Sequence, residues 1–272
     1  MINLNGTIYN KSKEILNSNN RAFKYGDALF ETIKVKDFKV YFVEDHYFRL
    51  MASMRMLRMD ISINFTIEFF EREVLKTVEQ NNLEDARVRF TVFRKDGGLY
   101  KPLTNQVDYL IEASEFNSII KEDYEIDIFK DYYIYSGLLS TIKTTNKITN
   151  VLASIYASEN KIDNCILVNE KKQVVEAING NIFVVNGNLI KTPPISEGCI
   201  KGIARKKIIE IISKIEKYTI EEAIISPFEL QKAGEIFITN VIIGIQPVLV
   251  YKKKLFRTDV SKELTFEFNK LV

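Results

Sequence analysis

Histidine is nearly missing from this chain: His46 is the only one in 272 residues. Serine or cysteine triads and histidine acid–base pairs would all have to run through that one imidazole. Proton transfer therefore falls to lysine or to a carboxylate, with an organic cofactor as helper. Cysteine is almost as scarce, and Cys165 and Cys199 have no metal-ligand spacing, so neither a metal site nor a disulfide framework is expected. No apolar run is long enough to span a bilayer, and the opening MINLNGTIYN lacks the basic-then-apolar pattern of a signal peptide. A cytoplasmic protein without a membrane partner is the expectation. There is no low-complexity tract and no fixed-period repeat. The formal net charge is +2, with Lys and Glu interspersed rather than sorted into basic faces, which disfavours nucleic acid as a partner.

What is present is ordinary globular material: 46% hydrophobic and 27% charged residues, at a length that predicts one large or two medium domains. ALFETIKVKDFKVYFV (28–43) reads as two strands around the turn Lys36-Asp37-Phe38-Lys39. Tyr47, Leu50, Met51, Met54 and Leu57 then recur at helical spacing, and a second helix is predicted over about 65–81. ARVRFTVFR alternates, with Val88, Phe90 and Val92 on one face and Arg87 and Arg89 on the other; DGGLYKP is a loop and QVDYLIEASEF a strand. After a charged linker at 116–124, strands in 125–136 lead to a helix at about 147–161 with Ile148, Val151, Leu152 and Ile155 on one stripe. Short strands fill 165–191, a helix follows at about 203–216, and SPFELQKAG, EIFITN, IQPVLVY and a C-terminal helix complete the chain. The expected class is α/β (α+β): a smaller N-terminal α/β domain over 1–117 and a larger C-terminal domain over 118–272, with mostly antiparallel sheets and flanking helices.

Four places carry chemistry that simple packing would not demand. Lys143, in IKTTNKITN, sits just before a helix N-terminus, where the helix dipole and partial burial would lower its proton affinity and make the amine a nucleophile. Glu176, in VVEAINGNIFVV, is an acid among apolar strands that needs a cation to hold it there. Gly202, Ile203 and Ala204, in CIKGIARKKII, open a helix whose free N–H groups are a natural phosphate seat. Arg49, three residues after His46 on the first helix, could reach a phosphate. Each has an ordinary alternative as a solvated surface group. Taken in order, an amine, an acid and a Gly-led helix start are what pyridoxal phosphate requires for its aldehyde, its ring nitrogen and its phosphate.

The order RAFKYGDALFE…DHYFRL…IKTTN…EAINGNIF…TPP…IKGIAR…FITNVIIGIQPV resembles the class IV pyridoxal-phosphate enzymes, which include branched-chain and D-amino-acid aminotransferases and 4-amino-4-deoxychorismate lyase. The resemblance implies a two-domain fold with the cofactor in the cleft, usually in a homodimer, acting on a small amino substrate. It implies that Lys143 is the Schiff-base lysine and that Glu176 holds the pyridine nitrogen protonated. Ile203 and Ala204 would bind phosphate with their amides after Gly202, joined by Arg49, and Asn181 would brace the loop behind Glu176. Asn240 and Val241 fall in the late loop of the cofactor site.

Within the family, TNVIIGIQPV (239–248) carries Val241 and Ile242 where aminotransferases usually have hydroxyls, and so is similar to the lyase group. The base Lys147, four after Lys143, and the loop of Arg94, Gly97, Gly98 and Tyr100 also resemble the lyase. Phe30 stands where D-amino-acid aminotransferases tend to have tyrosine. The leading expectation is therefore aminodeoxychorismate lyase, releasing pyruvate and 4-aminobenzoate for folate synthesis. Phe30, Arg94, Tyr100 and Lys147 are its candidate substrate residues. The alternative is an amino-acid aminotransferase using a 2-oxo acid. A cofactor-free scaffold that kept the fold is disfavoured by the intact Lys143, Glu176 and Gly202.

Overall fold

The structure is a computed structural model that describes residues 1–116 and 119–271. Two compact units emerge, one of Met1–Asn117 with Lys143–Asn146, the other of Ser118–Ile142 with Lys147–Val272. The domain boundary expected between 117 and 118 lies outside the described residues. The short segment Lys143–Asn146, expected in the second domain, belongs to the first unit.

The first unit holds β1 (Ile2–Leu4), β2 (Thr7–Tyr9), α1 (Arg21–Tyr25), β3 (Ala28–Lys36), β4 (Lys39–Val40), α2 (Val43–Met56), α3 (Ile67–Glu79), β5 (Ala86–Arg94) and β6 (Val107–Glu115). The strands form one antiparallel sheet in the order β2-β1-β6-β5-β3-β4. Asp37 and Phe38 both adopt positive φ, 49° and 54°, the conformation that closes a two-residue hairpin with the right twist. The alternation in β5 puts Val88, Phe90 and Val92 fully inside, and Phe70 and Val74 of α3 are buried as well. The Phe70 and Phe90 ring centroids lie 4.8 Å apart, and burying each such ring stabilises the unit by up to about 3 kcal/mol. Thr66 caps α3, its hydroxyl accepting from the Phe69 N–H at 3.2 Å.

The second unit holds β7 (Glu125–Ile128), α4 (Ile148–Glu159), β8 (Asn164–Val168), β9 (Val174–Ala177), β10 (Asn181–Asn186), β11 (Leu189–Thr192), α5 (Ile203–Ile212), β12 (Thr219–Glu222), α6 (Pro227–Lys232), β13 (Glu235–Asn240), β14 (Gly244–Val248), β15 (Val250–Tyr251), β16 (Lys254–Leu255) and α7 (Asp259–Asn269). Its strands make two sheets, β12-β11-β10-β13-β14 and β16-β15-β7-β8-β9. Ile166, Val168, Val174 and Ala177 of the latter share a core with Ile182, Val184, Ile236 and Ile238 of the former. Cys165 and Leu167 form a second cluster with Ala153 and Ala157 of α4. β8 is therefore buried on both faces, which is why CILV reads as an unbroken apolar run rather than an alternation.

Of the helix stripe read from Ile148, Val151, Leu152 and Ile155, Leu152 packs against the core beside α4, but Ile148, Val151 and Ile155 do not lie on its buried face. These three are 68%, 50% and 50% exposed, while the small Ala153 and Ala157 let the helix approach the sheet. Periodicity marked the helix correctly and its inner face only at Leu152, because the stripe and the alanine face both repeat at helical spacing.

Candidate active site

In the first unit, Lys143 is placed by β3. The Phe30 N–H donates to the Lys143 carbonyl at 2.9 Å and the Thr145 N–H to the Ala28 carbonyl at 3.1 Å, with Leu29 and Thr144 paired antiparallel. Residues 143–145 thus add a rung to the end of β3 that β4 does not cover. The turn is sealed at Gly26, whose carbonyl accepts from Asn146 Nδ2 at 3.0 Å and Thr145 Oγ1 at 3.2 Å. Gly26 has a φ of 62°, and a Cβ there would come within 2.2 Å of Asn146 Oδ1, so this position requires glycine. The Lys143 Nζ lies 4.5 Å from the centroid of the Phe30 ring. The guanidinium of Arg89 lies 3.7 Å from the same centroid. Two cations therefore share one aromatic ring. Burial weighs against the charge of Arg89, Glu112 supports it and Arg87 weighs against it, and its proton affinity is lowered overall. Arg89 was legible only as part of the polar face of β5.

Arg49 is bound within its own unit by Glu31. Its Nε donates to Glu31 Oε1 at 2.9 Å and its Nη2 to Glu31 Oε2, which also lies 2.6 Å from His46 Nδ1. Glu31 and His46 are fully buried. Burial pushes the Glu31 carboxyl up, but the Arg49 charge and the bonds from His46 and Arg49 outweigh it and bring it down to about 2. An ionised carboxylate only accepts, so His46 carries its proton on Nδ1 toward Glu31. His46 Nε2 is a buried acceptor without a donor among the described residues.

Arg94 is placed otherwise than the sequence suggested. Arg94 is buried and gives its donors to protein oxygens: Asp27 Oδ2 at 3.0 Å, Asn105 Oδ1 at 2.6 Å, the Leu57 carbonyl at 2.7 Å and the Arg58 carbonyl at 3.4 Å. Arg21 shares Asp27 Oδ2 at 2.9 Å and holds the carbonyls of Gly97 and Leu99. These bonds make Arg94 a tie for the adjoining loops, and its donors are already committed. The Tyr100 side chain is 89% exposed, with its ring 5.6 Å from that of Tyr25.

In the second unit, Glu176 lies on the edge strand β9, paired with Leu167 of β8 beside a register shift. It is buried, and its Oε2 accepts from the Ile200 N–H at 2.9 Å. Asn181 Nδ2 donates to the Ile200 carbonyl at 2.9 Å. Both side chains therefore fix the backbone of Ile200, just ahead of α5. Gly202 is the N-cap of α5 and offers no side-chain cap, leaving the first-turn N–H groups of Ile203 and Ala204 for an anion. A Cβ on residue 202 would fall 1.9 Å from Asn181 Oδ1. The close approach explains the glycine.

The turn 178–180 between Glu176 and Asn181 is clamped from three elements. Asn164 uses its whole amide: Nδ2 donates to Tyr124 Oη and Asn179 Oδ1, both at 2.9 Å, and Oδ1 accepts from the N–H groups of Cys165 and Ile178. Asn150 of α4 donates to the Ile178 carbonyl at 2.7 Å, and Asn240 to the Asn179 carbonyl at 3.2 Å. Asn240 Oδ1 also accepts from the N–H groups of Ile242 and Ile243, shaping the turn that carries Val241. Asn150 and Asn164 were not singled out in the sequence, since each acts through a distant backbone group.

Lys147 is the N-cap residue of α4 and half-buried. Burial lowers its proton affinity, against the opposing pull of Glu176. Burial likewise raises the Cys165 and Cys199 thiols to about 12, so both are inert. Among the described residues no cluster could hold a metal, and no helix is long and apolar enough to cross a membrane.

A buried acid on a strand edge, an uncapped helix start seated against an asparagine and a lysine hung from β3 are the donor types that a phosphorylated pyridine aldehyde needs. Residues 28–251 match the family described as amino-transferase class IV, and the chain belongs to that family, whose members are pyridoxal-phosphate enzymes. It is 30% identical over 268 residues, 97% of this chain and 92% of the relative, to a Methanocaldococcus jannaschii protein provisionally named a branched-chain-amino-acid aminotransferase. It is 24% identical over 237 residues, 84% of each chain, to the aminodeoxychorismate lyase of Vibrio harveyi. The branched-chain aminotransferase of the thermophilic archaeon Thermoproteus uzoniensis, solved with norvaline, shares the fold with a TM-score of 0.90 at 22% identity, covering 99% of this chain and 93% of that one.

Proposed function

We propose that this protein is an aminotransferase of class IV, moving an amino group between an amino acid, of branched-chain type first, and a 2-oxo acid. The observation that carries this is the likeness to the M. jannaschii relative along nearly the whole of both chains. It displaces the lyase as the leading reading. The lyase remains the second reading because Val241 and Ile242 offer no hydroxyl in the turn after Asn240.

Bound pyridoxal phosphate supplies an electron sink that makes the substrate Cα–H acidic. The residues of this chain have the following proposed parts. Glu176, held by the Ile200 N–H, keeps a negative charge where a ring N–H⁺ is to be matched. The Ile203 and Ala204 amides seat the phosphate, with Asn181 and Asn240 bracing the loops on either side. Arg49 is a phosphate ligand whose guanidinium Glu31 orients. Lys143 is the covalent anchor and, once displaced, the base that moves the Cα proton. Arg89 takes a substrate carboxylate: it is a desolvated guanidinium on the Phe30 ring that also bears the lysine.

A homodimer is part of the same proposal. Ile148, Val151 and Ile155 of α4, with Leu138 and Leu139, are large apolar side chains exposed on the second unit, an arrangement that supports burial against another copy. The two buried free thiols accord with a reducing, cytoplasmic setting.

The deciding assay offers L-leucine, D-alanine and L-glutamate with 2-oxo acids, and aminodeoxychorismate in parallel. Amino transfer from L-leucine without release of 4-aminobenzoate is the expected result. Release of 4-aminobenzoate without transfer would replace the aminotransferase by the lyase.

A further inference from the structure

Thr239, near the end of β13, carries a hydroxyl with nothing to bond. The residue is 1% exposed, and its Oγ1 is a buried polar atom with no hydrogen-bond partner among the described residues. Burying a hydroxyl without a partner is unfavourable. Thr192 of β11, equally buried, avoids this by donating to the Ile182 carbonyl at 2.8 Å. Thr239 does not.

The pairing of β10 with β13 fixes where this hydroxyl stands. Ile182, Val184, Ile236 and Ile238 fill the core shared by the two sheets. The residues that alternate with them, Asn181 and Phe183 on β10 and Phe237 and Thr239 on β13, share the opposite face. The stacked rings of Phe183 and Phe237, with centroids 4.9 Å apart, bear this out. Thr239 lies directly opposite Asn181, and side chains so placed have Cβ atoms about 5 Å apart. Asn181 in turn touches the start of α5. Its Nδ2 donates to the Ile200 carbonyl at 2.9 Å, and its Oδ1 stands 1.9 Å from where a Cβ on residue 202 would be. The unpartnered hydroxyl is therefore one side chain away from the uncapped first turn of α5.

We propose that the Thr239 hydroxyl is a further ligand of the anion seated on the first turn of α5, donating its proton to a phosphate oxygen. This rests on the cofactor reading of that seat and adds to it a strand residue outside the turn after Asn240, where Val241, Ile242 and Ile243 bring no hydroxyl. A phosphate group accepts more hydrogen bonds than two backbone amides supply, and a bond to a charged oxygen is stronger than one between neutral groups. The buried donor is held in place before the ligand arrives.

The test titrates the full chain, cleared of bound carbonyl compounds with hydroxylamine, with pyridoxal phosphate, with unphosphorylated pyridoxal and with inorganic phosphate. Absorbance reads the two aldehydes, and the shift of the thermal melt reads phosphate. Thr239→Val removes the hydroxyl and keeps the shape, Thr239→Ser keeps the hydroxyl, and Thr239→Ala stands in should the valine variant not fold. The valine variant is expected to bind pyridoxal phosphate and inorganic phosphate about ten-fold more weakly, the scale of one hydrogen bond to a charged group. Its affinity for pyridoxal should be unchanged, and its melt without ligand should be no lower than that of wild type. The serine variant should retain most of the phosphate affinity. Valine and wild type binding pyridoxal phosphate equally, or a parallel loss of pyridoxal, would overturn the proposal. If borohydride still traps pyridoxal phosphate on Lys143 in wild type, the cofactor reading survives that failure. Wild type that traps no pyridoxal phosphate, yet loses inorganic phosphate on Thr239→Val, would uphold the hydroxyl as an anion ligand and overturn the cofactor reading.

Discussion

His46 Nδ1 and Glu31 Oε2 are 2.6 Å apart in the core of the first unit, and the same carboxylate holds both Nε and Nη2 of Arg49. The only imidazole of the chain is thereby committed to orienting an acid that in turn orients a guanidinium. It is a support for Arg49.

Glu31 has a folded value near 2 against the ordinary 4.5, so its contribution to stability is complete above 4.5 and is lost as the pH falls toward 2. Glu31→Gln leaves the Arg49 charge without its carboxylate. It is expected to lower unfolding free energy by about 3 kcal/mol at neutral pH. Urea melts of wild type and variant across this range should converge in acid.

The proton affinity of His46 is lowered by burial, despite the raising effect of Glu31. A base depressed in the fold stabilises above its unfolded value of 6.5 and ceases to do so as the pH drops below it. Thermal melts should therefore begin to weaken below pH 6.5. His46→Gln should flatten that part of the curve.

Gly202→Ala places a methyl 1.9 Å from Asn181 Oδ1. The peptide at Ile200 and the first turn of α5 must shift, and the affinity for pyridoxal phosphate is expected to fall by about ten-fold or more, an effect near 1.4 kcal/mol. Absorbance titration measures it. Gly202→Ala/Asn181→Ala removes the obstructing oxygen and should recover part of the loss, which a general folding defect would not.

Glu176→Gln keeps an oxygen for the Ile200 N–H but gives up the negative charge. With its counter-charge gone, the proposed ring proton should be lost at lower pH and turnover should drop by roughly 10²-fold or more, the scale of removing one preorganised electrostatic group. The pH dependence of the cofactor absorbance, read without substrate, checks the cause separately from the rate.

Arg89→Ala should raise KM for the carboxylate-bearing substrate more than it lowers kcat. Arg89→Lys should restore little, because an ammonium cannot reproduce a planar fork stacked on Phe30. Unchanged KM in both variants would remove Arg89 from the substrate site.

Much of this arrangement was legible in the linear chain, and what was missed shares one cause. Amphipathic helices α2 and α3, the Asp37-Phe38 turn, the apolar run 165–168 of β8 and the Gly202 helix start are local patterns whose physics lies within a few neighbouring residues. Glu31 carries no local sign of its role, because its partners His46 and Arg49 are 15 and 18 positions away on α2. Asn164 and Asn150 carried no local signal, because each acts on a turn that begins 14 or 28 residues later. The α4 stripe misled for a related reason: a sequence records that side chains are apolar, and only tertiary structure decides which surface covers them.

The rung that residues 143–145 add to β3 also limits how the chain can be divided. The polypeptide enters the first unit a second time at Lys143 and departs after Asn146. An N-terminal fragment ending near 117 would lack the strand segment that satisfies the Phe30 N–H and the Ala28 carbonyl. Neither unit can be excised with one cut. Gene fusions, split reporters and circular permutants of this protein must keep the stretch through Asn146 joined to both sides.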